Sequence, residues 1–518
     1  MGWMPSFSGM FRAVTRTRPL KNTTPELPPY RRKALLEALE PRLLLSADGA
    51  GGVPPANLLH LQLTEAADTL VVRRVGDASD GGAILDVSHG DFFGRFGSDA
   101  AGIFALTAEG HGGNDVFDVG DLGIEVQLFG GDGSDTLVGW ATNSIWLITS
   151  RDAGTREGQQ FAGFENLAGA AGNQDHFVLT ADGVISGLID GGDGGFDTLE
   201  LAGGVFGQLT YETTGPQSGR LLRDAVAVAF AGLEPVIDNT VVARRTVQLS
   251  DSGHEAVLTA SGSSFTLASP TGTFESITFG GPSESLTIRG GAGRDVIRLS
   301  GLLDLSGAEL VVEGESIAVD AGASLTAASV RLSAAEARST SVGASAVTVG
   351  ADARVVVSGS LTATGAVLIE ASASKAATLT SLDAGLTTTG SSIVDVLGNA
   401  VIDAGTLRMS ARTSTTIAGA ATASTFQVGG PTVTVTNTTR ASVGGAARLI
   451  VGSGALSATD AASLAIEATD TVDVDVTVTD SGAATVFDSF DALSAGIDIT
   501  RNTQASVTSA PAAGPAID

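Results

Sequence analysis

The sequence predicts a mainly β protein, with a short N-terminal helical motif followed by the stacked coils of a parallel β-solenoid or β-roll. Three observations predict this fold. Glycine supplies 68 of the 518 residues. Short β-prone runs alternate with glycine-containing turns from about residue 56, and the marked turns recur about every twenty residues. Runs such as Val116–Val119 and Thr198–Leu201 bury little surface alone, so they need neighbours stacked at ~4.8 Å above and below.

The composition excludes several classes of function. The chain has no cysteine, which excludes a disulfide scaffold, a thiol nucleophile and cysteine-bound zinc or iron–sulfur sites. Its net charge of −28 argues against nucleic acid as a partner, because phosphate binding needs clustered lysine and arginine. No apolar run approaches the length of about 18 residues that a membrane-spanning helix needs, so no transmembrane segment is predicted.

The first two segments differ from the rest of the chain. Residues 1–30 carry several basic side chains among proline, serine and threonine, which is typical of a disordered leader. Residues 31–55 form a helical motif in this interpretation, because Leu35, Leu36 and Leu39 mark one face of a short helix that Pro41 ends or kinks.

One run within 31–55 carries a resemblance, and it reads Leu39-Glu40-Pro41-Arg42-Leu43-Leu44-Leu45. It resembles the LEPR-XLL motif found near the start of very large bacterial surface and secreted proteins. The resemblance implies an exported protein that is extracellular or on the cell surface, with repetitive sequence downstream. The alternative is an amphipathic cap on the open end of a solenoid, since repeat proteins need polar caps for solubility. The two interpretations are compatible.

Residues 56–310 carry the marked turns. The runs at 130–137 and 290–297 fit the nonapeptide G-G-x-G-x-D-x-U at every fixed position. Near matches lie at 110–115 and 192–197, with a degenerate copy at 172–177. The aspartates at 115, 135, 175 and 197 fit a constant step if one unmarked turn lies near 152–155. We therefore expect the turns to stack along one edge of the solenoid.

These turns resemble the RTX, or haemolysin-type, calcium-binding repeats of secreted bacterial proteins. In that family the glycines aim carbonyl oxygens inward and an aspartate completes an all-oxygen cage. The resemblance implies calcium as the cofactor, with ligands at Asp115, Asp132, Asp135, Asp175, Asp193, Asp197 and Asp295. The copies here are isolated rather than tandem, and Asp295 has no partner copy nearby. A purely structural Asp-Gly turn is the alternative, because aspartate bonds its own backbone and glycine accepts positive φ.

Residues 311–518 repeat a phrase of a small residue, leucine, threonine or serine, and alanine. Copies begin at Ser324, Ser360 and Ala455. The run after Asn437 also matches the run after Asn502, at a distance that predicts about three coils. This rhythm resembles the β-helical repeats of large adhesins of the filamentous haemagglutinin type. A disordered segment is the alternative, but valine at every second position favours ordered strands. The last repeat is cut short, so we expect the native protein to continue.

Lysine is almost missing beyond Lys33. Lys375 is the single exception, and arginine supplies the other basic groups. We interpret this bias as coding composition rather than function.

No catalytic pattern appears. The chain lacks H-E-x-x-H, the G-x-S-x-G elbow, a Walker loop and a dinucleotide fingerprint. We therefore predict a structural, adhesin-like protein and not an enzyme, with an extracellular surface or polysaccharide as its partner. The alternative is a β-helix lyase, epimerase or hydrolase acting on acidic sugars. The candidate groove for that alternative is the cluster Trp140, Trp146, Arg151 and Arg156.

Overall fold

A computed structural model describes residues 44–45, 57–343, 346–379, 385–423, 432–451, 464–480, 496–507 and 516–517. The predicted leader, 1–30, lies outside the described residues. So does the helix predicted around Leu35–Leu39, and of the 31–55 segment only Leu44–Leu45 is described. The repeat copy that begins at Ala455 also starts outside them. No helix occurs among the described residues.

The described chain is built from β-strands. The first thirteen are β1 (Leu44–Leu45), β2 (Leu58–Gln62), β3 (Thr69–Asp77), β4 (Ala83–His89), β5 (Phe92–Phe96), β6 (Ala105–Glu109), β7 (Val116–Val119), β8 (Glu125–Phe129), β9 (Thr136–Val138), β10 (Ile145–Ser150), β11 (Ala153–Arg156), β12 (Gln159–Ala162) and β13 (Asn166–Ala168). The next thirteen are β14 (His176–Thr180), β15 (Leu188–Asp190), β16 (Thr198–Ala202), β17 (Val205–Gly215), β18 (Ser218–Arg223), β19 (Val226–Ala231), β20 (Val236–Asp238), β21 (Val241–Gln248), β22 (Glu255–Ser261), β23 (Ser264–Ala268), β24 (Ile277–Gly280), β25 (Ser285–Arg289) and β26 (Val296–Leu299). The last are β27 (Leu302–Gly314), β28 (Ser316–Val319), β29 (Ser324–Val342), β30 (Val347–Val357), β31 (Ser360–Leu379), β32 (Leu386–Val396), β33 (Val401–Ala423), β34 (Thr432–Val443), β35 (Arg448–Val451), β36 (Leu464–Asp480), β37 (Gly496–Val507) and β38 (Ala516–Ile517).

These strands form two long sheets. Sheet 1 runs in the order β1-β2-β6-β8-β12-β11-β10-β14-β16-β20-β24-β23-β22-β26-β28-β30-β32-β34-β37. Sheet 2 begins β5-β4-β3-β7-β9-β13-β15-β19-β18-β17-β21-β25-β27-β29-β31-β33. It continues from β33 to both β35 and β36, and from β35 to β38. The main chain alternates between the sheets and pairs in parallel with the coil before it. The predicted mainly β, parallel solenoid-like fold is confirmed.

Antiparallel meanders interrupt the coils in the first part of the chain. Each has three strands, so it adds two strands to its sheet beyond the one that a plain coil supplies. They fall alternately in sheet 2 (β3 to β5), sheet 1 (β10 to β12), sheet 2 (β17 to β19) and sheet 1 (β22 to β24). Because the meanders alternate between the sheets, each sheet gains the same number of extra strands. The turn expected near 152–155 belongs to the second meander and is not a coil boundary.

Inward side chains of both sheets form one hydrophobic cluster that runs from Leu59 to Leu449. The alternation of buried and partly exposed residues is regular, as in β4. It follows from the period of two along a strand, which sends successive side chains to opposite faces. A second, smaller cluster forms where the later strands lengthen, and it includes Val349, Leu379 and Val435.

The later repeats align as the sequence predicts, although the coils are longer than expected. Ser324 pairs with Ser360, and Leu325 pairs with Leu361. Ala441 lies directly opposite Ala505, so the 64 residues between them form one coil and not three. The prediction assumed the twenty-residue coil of the first part, whereas the later strands are much longer.

Candidate functional site: buried carboxylate ladders

Five of the predicted calcium ligands are buried side chains that precede a strand. Each of them is at most 2% exposed, and they are Asp115, Asp135, Asp175, Asp197 and Asp295. Asp115 and Asp135 stand before strands of sheet 2, whereas the other three stand before strands of sheet 1. The turns therefore lie on two edges of the solenoid and not on the single edge expected from the sequence. The expected neighbours, Asp115 with Asp135 and Asp175 with Asp197, do lie in adjacent coils.

On the sheet 2 edge, each carboxylate accepts a hydrogen bond from the backbone of the preceding coil. The N–H of Asp68 donates to Asp115 Oδ1 at 2.8 Å, and the N–H of Asp115 donates to Asp135 Oδ1 at 2.7 Å. The N–H of Asp135 in turn donates to Glu165 Oε2 at 2.8 Å. This series of side chain to backbone bonds fixes the register of successive coils. We call it the sheet 2 ladder: Asp68, Asp115, Asp135 and Glu165.

The sheet 1 edge repeats the arrangement in two stretches. The N–H of Ser144 donates to Asp175 Oδ1 at 2.9 Å, and the N–H of Asp175 donates to Asp197 Oδ1 at 2.6 Å. Further along, the N–H of His254 donates to Asp295 Oδ1 at 2.8 Å, and the N–H of Asp295 donates to Glu315 Oε2 at 2.7 Å. The sheet 1 ladder thus consists of Ser144, Asp175 and Asp197, and of His254, Asp295 and Glu315.

The first glycine of each motif makes room for the carboxylate. A Cβ on Gly130 would lie 2.6 Å from Asp135 Oδ2, and one on Gly290 would lie 2.5 Å from Asp295 Oδ2. The following glycine is required for a different reason. Gly131 has a φ of 114°, a backbone conformation that residues with an L side chain rarely adopt. The first two glycines and the aspartate of the G-G-x-G-x-D pattern therefore have structural roles within the ladder.

Burial changes the acidity of the ladder groups. The second oxygens of Asp115, Asp135 and Asp295 are buried with no hydrogen-bond partner. Loss of solvent raises the pKa of Asp115 and of Asp197 to about 6, and it raises the pKa of Glu315 to about 7. The charged forms are therefore disfavoured, and neighbouring carboxylates add to this effect.

Asp132 and Asp193 do not join the ladders. Both side chains are exposed at the turns. They take part through their backbone: the N–H of Asp132 donates to His111 O at 2.7 Å, and Asp193 O accepts from the N–H of Gly172 at 3.1 Å.

The ladder geometry differs from a calcium cage. Calcium prefers 6–8 oxygen ligands, but one oxygen of each ladder aspartate is engaged by a backbone N–H. Within the part of the chain that the structure describes, no group of three or more histidine, aspartate or glutamate side chains is placed to hold a metal ion. Calcium binding at these turns stays a prediction.

Glu165 and Glu315 are ladder members that the sequence reasoning missed. It treated Asp295 as having no partner copy, whereas Glu315 stands twenty residues later and accepts its N–H. A signal was present in the sequence: each glutamate stands directly before a β-prone run, twenty residues after Asp295 in one case and thirty residues after Asp135 in the other. The G-G-x-G-x-D pattern specifies aspartate, although the longer glutamate side chain reaches the same kind of backbone donor.

The candidate sugar-binding cluster is largely core. Trp146 and Arg156 are both fully buried. The Arg156 guanidinium lies 5.1 Å from the ring centroids of Trp140 and Trp146, and its Nη2 donates to Val119 O at 2.7 Å. Burial lowers the pKa of Arg156 to about 9. Of the two arginines only Arg151 is exposed, so the four side chains do not form a groove for a polymer.

Comparison of the chain with protein-family models, with curated proteins and with solved structures gave no match. No helix suited to crossing a membrane is found in the described ranges.

Proposed function

We propose that this chain is a structural element of an exported, adhesin-like bacterial protein. The observation that supports the proposal most is the continuous parallel stacking of coils through one shared core, fixed by buried ladders rather than by a catalytic cluster. A stack in which each coil is stabilised by its neighbours makes a stiff, quasi-one-dimensional element that presents surface at a distance. The LEPR-XLL resemblance supports export.

The binding role is tested with the full chain and a panel of anionic polysaccharides. Retention of the chain on a polysaccharide without new reducing ends is the expected result. Release of reducing ends would contradict the structural role and favour the lyase or hydrolase form of the enzyme alternative. The variant Arg151→Ala is the matched control, because Arg151 is the exposed arginine of the former candidate cluster.

The location is tested by protease treatment of intact cells that express the native gene. Loss of the chain under conditions that spare a cytoplasmic marker is expected for a surface protein. Complete protection, with recovery in the cytoplasmic fraction, would contradict export.

Calcium is the proposed cofactor of the turns, and it rests on the RTX resemblance together with the unpartnered buried oxygens. Circular dichroism of the full chain with calcium and with a chelator tests it. A higher melting temperature with calcium is the expected result, since a ligand that binds only the folded state stabilises it. An unchanged β signal and melting temperature would contradict the proposal and leave the ladders as purely structural.

A further inference from the structure

The later coils contain a polar seam between the two hydrophobic clusters. Along β31 the inward positions run from Ala373 through Lys375 to Ala377, and Ala373 belongs to the long cluster whereas Ala377 belongs to the small one. Two buried residues of β34, Asn437 and Thr439, are polar as well. We define the polar seam by its buried members, which are Lys375, Ser392, Thr413, Thr415, Asn437 and Thr439.

Lys375 is the most unusual member of the seam. It is 1% exposed, and it is the only lysine after Lys33 in the whole sequence. Lysine is almost never fully buried in proteins unless it is paired. A Cβ on Gly390 would collide with its ammonium nitrogen, so the missing side chain at Gly390 provides the space. The Nζ atom donates a hydrogen bond to Asn437 Oδ1.

The carboxamide of Asn437 is held on both sides. Its oxygen faces Lys375, and its Nδ2 donates to Asp470 Oδ1 at 2.8 Å. Asp470 is itself fixed, because its Oδ2 accepts from Arg501 Nε at 2.8 Å. The amide therefore presents its carbonyl to an amine and its nitrogen to a carboxylate, in an interior where Asn437 is 1% exposed.

The environment favours a reactive amine. Burial lowers the pKa of Lys375 to about 8, against the opposing influence of Asp470 and Asp352. A neutral lysine amine is a nucleophile, and desolvation is one of the ways in which proteins activate it. Contact between amine and carbonyl also replaces a bimolecular encounter by an intramolecular one, which lowers the barrier substantially.

We propose that Lys375 and Asn437 join in an intramolecular isopeptide bond. The neutral Nζ attacks Cγ of Asn437, and the bond between Cγ and Nδ2 breaks. One proton moves from Nζ to the departing Nδ2, which leaves as ammonia, and Asp470 Oδ1 holds that nitrogen throughout. The product is a secondary amide, and no oxidant, reductant or metal takes part.

The bond would tie the two sheets together across the interior. Lys375 lies on β31 of sheet 2 and Asn437 lies on β34 of sheet 1, 62 residues later. A covalent link there closes a loop of the chain and restricts the unfolded state, as other cross-links do. It also gives a chain without cysteine a covalent brace.

Mass spectrometry of a tryptic digest of the full chain tests the proposal. Cleavage after arginine places Lys375 in the peptide 355–408 and Asn437 in the peptide 413–440. We expect these two peptides as one linked species, lighter than their sum by one ammonia and uncleaved at Lys375. Three separate peptides, 355–375, 376–408 and 413–440, from folded protein incubated at pH 8, would overturn the proposal.

Four variants sharpen the test. Lys375→Arg keeps the charge and Asn437→Ala removes the acceptor, and either is expected to abolish the linked species. Asn502→Ala is the matched control, because Asn502 is an exposed asparagine on the adjacent strand β37, and it should leave the link intact. Asp470→Ala should slow the appearance of the linked species, and an unchanged rate would overturn the role given to Asp470. Circular dichroism of each variant establishes that the fold is retained, and a linked species in Lys375→Arg would also overturn the assignment.

Discussion

The described strands within residues 57–299 and those within residues 302–507 both stack their coils in parallel, but they fill the interior differently. The first part packs large side chains, such as Trp146 against Phe177 at 5.3 Å between ring centroids, and carries the meanders and most of the ladders. The second part has strands of up to 23 residues, and no aromatic residue occurs from 281 to 425. Its interior contains the polar seam. Large apolar groups bury much surface per coil, whereas stacked small residues permit sliding, which specific polar pairs oppose.

The largest expected effect lies in the aromatic core of the first part. Trp146→Ala removes the stacking on Phe177 and the contact with the Arg156 guanidinium. We expect a loss of ~3–5 kcal/mol in the free energy of unfolding, measured by denaturant titration. The control Leu147→Ala changes the next, outward-facing residue of the same strand and should cost far less. Equal losses in the two variants would contradict the view that buried aromatic side chains stabilise the first part of the chain.

The next effect is steric and concerns a ladder glycine. Gly130→Ala would push a Cβ into Asp135 Oδ2 at 2.6 Å and against the backbone of Gly163. We expect a destabilisation of ~1–3 kcal/mol, as for other overpacked interiors. Gly280→Ala is the matched control, because nothing lies within 4 Å of a Cβ there. A tolerated Gly130→Ala would contradict the close approach of ladder and coil.

The polar seam gives an intermediate effect in the second part. Thr439→Val removes the hydroxyl that donates to Thr413 Oγ1 at 2.8 Å inside the solenoid. A cost of about 1 kcal/mol is expected, because Thr413 loses one buried partner. Thr436→Val, at an exposed position of the same strand, should change the melting curve little. If Thr439→Val stabilised the protein, the seam would not contribute to stability.

The smallest effect is a pH dependence of the ladders. The pKa of Asp115 is raised to about 6 in the folded protein, so the folded state binds more protons than the unfolded state between about pH 4 and 6. The stability that comes from protonated Asp115 is fully present below the pKa that this side chain has in the unfolded state, and it is lost as the pH rises through about 6. Asp115→Asn keeps an oxygen for the N–H of Asp68 and should remove this dependence, so that the variant gains relative to wild type at pH 7. Unfolding titrations of both proteins at pH 4 and pH 7 measure it.

That last comparison also separates the two interpretations of the aspartates. If Asp115 serves as a calcium ligand, the asparagine variant should lose stability relative to wild type in the presence of calcium. If Asp115 serves only the ladder, calcium should make no difference between the two proteins.

Local sequence patterns predicted the stacking of the coils but not the antiparallel meanders. The turns at Asp115 and Asp135 were correctly predicted to lie in adjacent coils, because their glycines and aspartates are required by the local backbone conformation and hydrogen bonding. Strands β10 to β12 are of similar length to the neighbouring coil strands and are separated by turns as those are, so their spacing in the sequence did not indicate that they fold back. The assignment of all turns to one edge was wrong for that reason. Lys375 was read as compositional bias because its partner Asn437 lies in another coil, beyond the reach of any local motif.

The meanders have a consequence for the order in which the chain assembles. Strand β12 (Gln159–Ala162) occupies the place beside β8, yet it is synthesised after β10, which lies two places further along the same sheet. The strands of this sheet therefore cannot be added strictly in chain order from the N-terminus. Strand β10 takes its place before the position beside β8 is filled, and β12 fills that position afterwards. The same step recurs at β17 to β19 and at β22 to β24. Growth from one end is therefore interrupted three times, whereas the described strands after residue 281 pair without such a step.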